Sequence, residues 1–151
     1  MILKNFRINA FTTRKLLGNP ACVVPLKKWL SDEILLKIAK KNNVSETAFF
    51  INENSKFSIR WFTPDIEMDL CGHATLAAAH CINKHLNLNF ETILFNSNIG
   101  KLSVNILNDL YQLDFPKREP IESELPEEIY NSLSIKPDKV LKSRDYVLVY
   151  N

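Results

Sequence analysis

The stretch DLCGHATLAAAH, residues 69–80, decides the fold that we predict for this chain. One of only three glycines in 151 residues, Gly72, stands here between a cysteine and a histidine. The residues that follow are small and apolar around every face, and a helix of that kind is normally buried on all sides. We therefore predict a central helix from residue 72 to about residue 86, enclosed by the rest of the core.

The start of this helix is a candidate binding site for an anion. The first N–H groups of a helix have no partner within it, and the helix dipole favours negative charge there. Gly72 has no side chain to block a ligand from these amides. His73 is either a core histidine or a group that donates a hydrogen bond to substrate or shuttles a proton.

Cys71 immediately precedes the predicted helix. A thiol at a helix start is expected to have a lowered pKa, because the dipole stabilises the thiolate. Cys71 is then a candidate acid/base group of the kind that racemases use. The alternative is that Cys71 is a small residue of the core.

Short stretches on both sides of the helix alternate apolar and polar residues, or are wholly apolar, and are bounded by turn residues. The segment 33–43 instead has apolar residues at helical spacing after a Ser-Asp-Glu start. The predicted strands are 5–11, 21–26, 45–52, 56–64, 66–70, 91–98, 100–107, 110–116 and 145–151. Together these elements predict an α+β fold in which a mixed or antiparallel sheet curls as a barrel around the central helix.

Composition narrows the classes of partner. Hydrophobic residues make up 46% of the chain, charged residues 24%, and the formal net charge is +2. The basic residues are scattered, so nucleic acid binding is not expected. No apolar run is long enough to span a membrane, the N-terminus lacks a signal-peptide pattern, and the three cysteines form no CxxC pair. We expect a cytoplasmic protein without a membrane partner or a metal site.

Two further sites are candidates for polar chemistry. Glu46 lies between Ser45 and Thr47, just before a run of apolar residues. If that run is buried, Glu46 stands at a polar rim and can act as a general base or acid; otherwise it is an exposed glutamate at a strand end. Asn19, beside Gly18, offers a side-chain amide to a ligand.

These features occur together in one known family. The segments concerned are INAFTTRKLLGNPACVV (8–24), IAKKNNVSETAFF (38–50), IRWFTPDIEMDLCGHATLAAAH (59–80) and GKLSVNI (100–106). Their order and spacing resemble the phenazine-biosynthesis-like (PhzF) family, of the diaminopimelate-epimerase-like superfold, from about residue 6 to residue 115. The resemblance implies two similar domains, each a sheet curled round a central helix, with the active site in the cleft between them.

The resemblance also implies a chemistry. The best-understood family reaction is a cofactor-independent proton transfer that isomerises a double bond of trans-2,3-dihydro-3-hydroxyanthranilate. Its catalytic glutamate matches Glu46, and the histidine beside the substrate matches His73. Cys71 matches a catalytic cysteine of the related epimerases, which leaves a thiol mechanism as the alternative. For a small carboxylate substrate, the residues expected to hold it are His73, Gly72, Ala74, Asn19 and Ser45.

The chain departs from the family in length. Family members are about twice as long, and their second half carries a DPxTGS-like motif and a returning strand that this chain lacks. We therefore expect an N-terminal PhzF-like domain at 1–116, with a linker, a helix and the first strand of an incomplete second domain at 117–151. The chain is then an isomerase half, an inactive or partner-binding remnant, or a homodimer that rebuilds the cleft. A missing C-terminal half is the other expected partner.

Overall fold

The computed structural model of this protein describes residues 2–14, 17–53 and 56–150. The chain forms two compact units, residues 1–115 and residues 116–151. Residues 15 and 16, and residue 151 at the end of the last predicted strand, lie outside the described residues.

The first unit contains a mixed sheet of eight strands. Its order is β1-β2-β3-β4-β6-β7-β8, with β5 paired to β4. The pairs β2–β3 and β4–β6 are parallel, and the other pairs are antiparallel. The strands are β1 Phe6–Ala10, β2 Asn19–Leu26, β3 Glu46–Glu53, β4 Lys56–Phe62, β5 Glu67–Met68, β6 Thr92–Ser97, β7 Gly100–Leu107 and β8 Leu110–Asp114.

The central helix α2, Gly72–His80, is buried as the sequence predicts. Ala74, Ala77 and Ala78 expose at most 1% of their surface. The helix packs against β1 and β8, which are the two ends of the sheet order, as well as against β2 and β3. A sheet whose two ends touch the same helix must curl around it. The predicted α+β fold with a curled mixed sheet is therefore confirmed.

The second half of the central helix differs from the expected α-helix. Residues Cys81–His85 form a π-helical turn, in which the Leu86 N–H donates to the Cys81 carbonyl at 2.9 Å. A π turn is wider than an α turn, because each hydrogen bond spans one more residue. Cys81 and Ile82 remain fully buried in this wider turn.

A second layer of the core lies on the outer face of the sheet, beneath helix α1, Asp32–Asn42. Strand β3 supplies both layers, because its side chains alternate: Ala48 faces the central helix, and Phe49 faces the outer layer. The helix ends as predicted. Asn43 adopts a left-handed conformation with φ of 49°, and its N–H donates to the Ala39 carbonyl.

Arg60 links three elements of this unit. Its guanidinium contacts the Glu67 carboxylate at 2.7 and 2.5 Å and Asp32 at 2.9 Å, and it lies over the Phe62 ring at 5.0 Å. Hydrogen bonding to Glu67, followed by Asp32, holds the pKa of Arg60 above its usual value. The contacts join the start of α1 to β4 and β5.

Gly18 provides a sharp test of the β1–β2 connection. Its φ is +87°, and a Cβ there would lie 2.3 Å from the Ala10 carbonyl oxygen. Gly100 also has a positive φ, +117°, but a Cβ there would meet nothing within 4 Å. We expect Gly100→Ala to lose roughly 1–3 kcal/mol through backbone strain, and Gly18→Ala to lose clearly more. Urea unfolding of both variants measures the difference, and equal losses would contradict the backbone clash.

The second unit is a three-stranded antiparallel sheet in the order β11-β10-β9, with a short helix. Its elements are β9 Ile121–Glu122, α3 Glu127–Ser132, β10 Lys139–Lys142 and β11 Tyr146–Val149. The helix and the last strand were predicted, whereas β9 lies in the predicted linker and β10 was missed. Among the described residues of the chain, no helix has the length and apolar character to cross a membrane.

Candidate active site

Glu46 begins β3 on the face of the sheet that packs against the central helix. The parallel register pairs it with Ala21 of β2. Because strand side chains alternate, Glu46 shares its face with Ala48 and Phe50, which belong to the layer around α2. The carboxylate is thereby directed towards the first turn of α2.

Glu46 meets His73 there. The Glu46 Oε2 and His73 Nε2 atoms are 3.2 Å apart, and the two side chains expose only 17% and 10% of their surface. The distance suits an ion pair, but the angles do not align the two atoms as a hydrogen bond. Within the described residues, both atoms are buried and have no hydrogen-bond partner. Such unpartnered polar atoms are costly, and they commonly mark a place for water or ligand.

Cys71 contacts the second ring nitrogen of His73. Its Sγ is 3.4 Å from His73 Nδ1, and both residues are buried. The Cys71 carbonyl accepts hydrogen bonds from the N–H and the hydroxyl of Thr75, at 3.1 and 2.6 Å. The thiol, the imidazole and the carboxylate therefore form a compact cluster, with donor atoms of all three groups within 4.8 Å of one another.

The expected lowering of the Cys71 pKa is wrong. Burial, aided by the nearby charge of Glu46, raises the pKa of this thiol to about 12. The backbone N–H groups of Ala74 and His73 act in the opposite direction but do not prevail. Loss of hydration outweighs the helix-start effect at this position, so the thiol stays protonated at neutral pH.

Phe115 occupies the side of Gly72 that we expected to be open to a ligand. A Cβ on Gly72 would lie 2.8 Å from the Phe115 Cζ. The glycine thus permits close approach of an aromatic ring to the helix start. Sequence reasoning missed this residue, because the only signal for it is an aromatic residue before a proline at the end of a strand.

Asn19 and Ser45 lie together where β2 and β3 begin. The Ser45 hydroxyl faces the Asn19 side-chain oxygen at 3.5 Å, and both groups are solvent-accessible. Ser45 is the chain neighbour of Glu46, so this pair forms a polar rim beside the carboxylate. The roles of Asn19, Ser45, Gly72 and Ala74 in holding a substrate stay predictions.

The cluster also contains three atoms that metals can use. Oxygen, sulfur and nitrogen atoms of Glu46, Cys71 and His73 lie within 4.8 Å of one another. The carboxylate contacts Nε2 at 3.2 Å, and the thiol contacts Nδ1 at 3.4 Å. The expectation that the chain has no metal site therefore stays a prediction.

The chain matches the family model described as phenazine biosynthesis-like protein over residues 8–142. An uncharacterized isomerase of Pseudomonas aeruginosa is 42% identical over 149 residues, which are 99% of this chain and 58% of the relative. The crystal structure of a PhzF-family phenazine biosynthesis protein from Enterococcus faecalis superimposes with a TM-score of 0.85 at 38% identity, over all of this chain and 58% of that one.

A predicted epimerase from Pseudomonas aeruginosa, only 18% identical, shares the fold with a TM-score of 0.73 over 97% of this chain and 58% of that one. The chain spans about half the length of the relatives that it matches. The match covers the sheet, the central helix and the Glu46–His73 pair of the first unit. By this match and by its fold, the chain belongs to the phenazine biosynthesis-like (PhzC-PhzF) family.

Proposed function

We propose that Glu46 and His73 form the proton-transfer part of an isomerase or epimerase that needs no cofactor and acts on a small carboxylate. The observation that carries the proposal is the pair of buried, unpartnered atoms, Glu46 Oε2 and His73 Nε2, 3.2 Å apart. A general base must reach the proton that it abstracts, and a second polar group must meet the charge that develops. The name isomerase, carried by the bacterial relative, supports the same class of reaction.

The reaction balances without a further reactant. The Glu46 carboxylate takes a proton from a substrate carbon, and the C–H electron pair enters the adjacent unsaturated system. A proton is then delivered to the other face of the same carbon by an acid of the half that completes the cleft, with Glu46 releasing its own proton to solvent, or the neutral glutamic acid returns its proton to another carbon. The first outcome is epimerisation, and the second is migration of a double bond. His73 Nε2 donates a hydrogen bond to the substrate oxygen on which negative charge accumulates.

A complementary half is part of the proposal, because the chain covers about half of its relatives. A second copy of this chain or a C-terminal half would complete the cleft beside the pair. We also place the reaction in the cytoplasm. All three cysteines of the chain are described, and each is free and buried, which fits a reducing compartment.

Deuterium incorporation tests the proposal directly. The chain is incubated in D₂O with a panel of small unsaturated and amino carboxylates, including trans-2,3-dihydro-3-hydroxyanthranilate, and loss of carbon-bound protons is followed by NMR. Sedimentation at the same concentrations gives the fraction of dimer. We expect incorporation into at least one compound, with a rate per chain that rises with the dimer fraction if a second copy completes the site.

Absence of incorporation in both the monomeric and the dimeric ranges would contradict activity of this chain. It would favour the alternative of a catalytically inactive or partner-binding half. A thiol mechanism based on Cys71 has less support, because the burial that raises its pKa to about 12 disfavours the reactive thiolate.

A further inference from the structure

We infer that Cys71 is a positioning residue: its thiol donates a hydrogen bond to His73 Nδ1 and holds the imidazole in the tautomer that carries its proton on Nε2. The state of the ring does not depend on the proposed function. The consequence for catalysis does, because it concerns the group that Nε2 offers to substrate.

The geometry supplies one neighbour for each ring nitrogen. Cys71 Sγ lies 3.4 Å from Nδ1, and Glu46 Oε2 lies 3.2 Å from Nε2. A neutral imidazole has one N–H donor and one acceptor nitrogen, so the neighbours decide which nitrogen is which. Both contacts are buried, which makes a mismatched pair of groups costly.

The thiol can only be a donor towards Nδ1 if it keeps its proton. Burial ensures this at neutral pH, since it raises the pKa of Cys71 to about 12. Cys71 makes no side-chain capping hydrogen bond at the start of α2, and in the described part of the chain its sulfur has His73 Nδ1 as a hydrogen-bond partner. The S–H proton is then left for Nδ1, which must accept it.

The Glu46 carboxylate favours the same tautomer through its contact with Nε2. An ionised carboxylate offers only acceptor atoms. If Nε2 carried the lone pair instead, two buried acceptor atoms would lie 3.2 Å apart. The thiol and the carboxylate therefore favour the same tautomer, in which Nε2 presents an N–H to the space beside Glu46. This role differs from that of a catalytic thiol, because Cys71 never meets the reacting atoms.

Nitrogen NMR reads the tautomer without any substrate. The full chain is labelled with ¹⁵N-histidine, and long-range ¹H–¹⁵N correlations separate the protonated from the unprotonated ring nitrogen. The other two histidines are assigned with His80→Gln and His85→Gln. We expect the His73 proton on Nε2 between pH 7 and pH 9, below the pKa of about 12 of Cys71.

Three variants test whether Cys71 acts through the hydrogen bond of its thiol or only through its volume. Cys71→Ser keeps a donor and should keep the tautomer. Cys71→Ala removes the donor and should lower the ratio of Nε2–H to Nδ1–H roughly three- to tenfold, the value of one modest hydrogen bond. Cys81→Ala removes another buried thiol, which lies in the π-helical turn, and should leave His73 unchanged.

The inference is overturned if wild-type His73 carries its proton on Nδ1, or if Cys71→Ala keeps the wild-type ratio. If Cys71→Ala does not fold, the wild-type tautomer and its retention in Cys71→Ser still decide. The proposed function fails separately. Absent deuterium incorporation with the expected tautomer contradicts the enzyme and leaves the role of Cys71 standing.

Discussion

Glu46→Gln is expected to lower the rate of proton transfer at the substrate carbon by about 10²- to 10⁴-fold, the usual contribution of a positioned acid/base group. Glutamine has the size of glutamate and keeps an oxygen that can face His73 Nε2, where the carboxylate oxygen lies at 3.2 Å. It cannot take a proton from carbon. The deuterium assay with wild type and variant measures the change.

Glu67→Gln is the matched control for removing the charge of a partly buried glutamate. Glu67 lies in β5 and is bonded to Arg60, so its loss should reduce stability but leave the turnover of the folded chain unaltered. Urea unfolding of Glu46→Gln should remain within about 1 kcal/mol of wild type, since no aligned hydrogen bond of Oε2 is lost. Unchanged turnover in Glu46→Gln would remove Glu46 from the mechanism.

The fold was predictable because two strong patterns agree. The small residues of DLCGHATLAAAH indicated a buried helix, and the alternating stretches around it indicated strands, which the structure confirms for α2 and for the strands of the first unit. Element boundaries set by turn residues were also good guides, as at Asn43. The second unit was less predictable, because β9 and β10 are only two and four residues long and carry little periodicity.

The residues of the site could be predicted from the sequence, but their burial and their contacts with distant segments could not. The sequence indicated Glu46, Cys71 and His73, and the structure brings these three together. The pKa of Cys71 is raised, whereas the sequence predicted that it is lowered. The cause is burial by packing from distant strands, which cannot be inferred from a local motif. The ring of Phe115 beside Gly72 is a long-range contact of the same kind.

Phe57→Ala is expected to cost about 3–5 kcal/mol of unfolding free energy, a large part of the roughly 5–15 kcal/mol that stabilises a domain. Phe57 is 1% exposed. Its ring packs edge-on against Phe50 and Phe90, each at 5.8 Å between centroids, and lies 6.0 Å from Phe95. Truncation removes three aromatic contacts and leaves a cavity among them. Urea unfolding measures the loss.

The position of Phe57 in the sheet indicates which strands the substitution destabilises most. The parallel pair β4–β6 joins the two halves of the sheet, and its register consists of Phe57 with Phe95 and Ser58 with Asn96 in the described chain. The neighbouring pair β3–β4 runs over seven positions. Few backbone hydrogen bonds can hold such a short pair, so the packing of Phe57 against Phe95 contributes much of its stability. Hydrogen exchange in Phe57→Ala should therefore rise most in β6 and β7.

Two variants separate this junction from ordinary core packing. Phe57→Leu fills most of the cavity and should cost only about 1–1.5 kcal/mol. Phe49→Ala removes an equally buried ring on the outer face, where its aromatic partner is Phe62 at 5.6 Å. Its exchange should not increase preferentially in β6 and β7, because that ring does not touch the β4–β6 junction. If both alanine variants raised exchange evenly along the sheet, Phe57 would be an ordinary core residue, and the two halves of the sheet would be held together by other contacts.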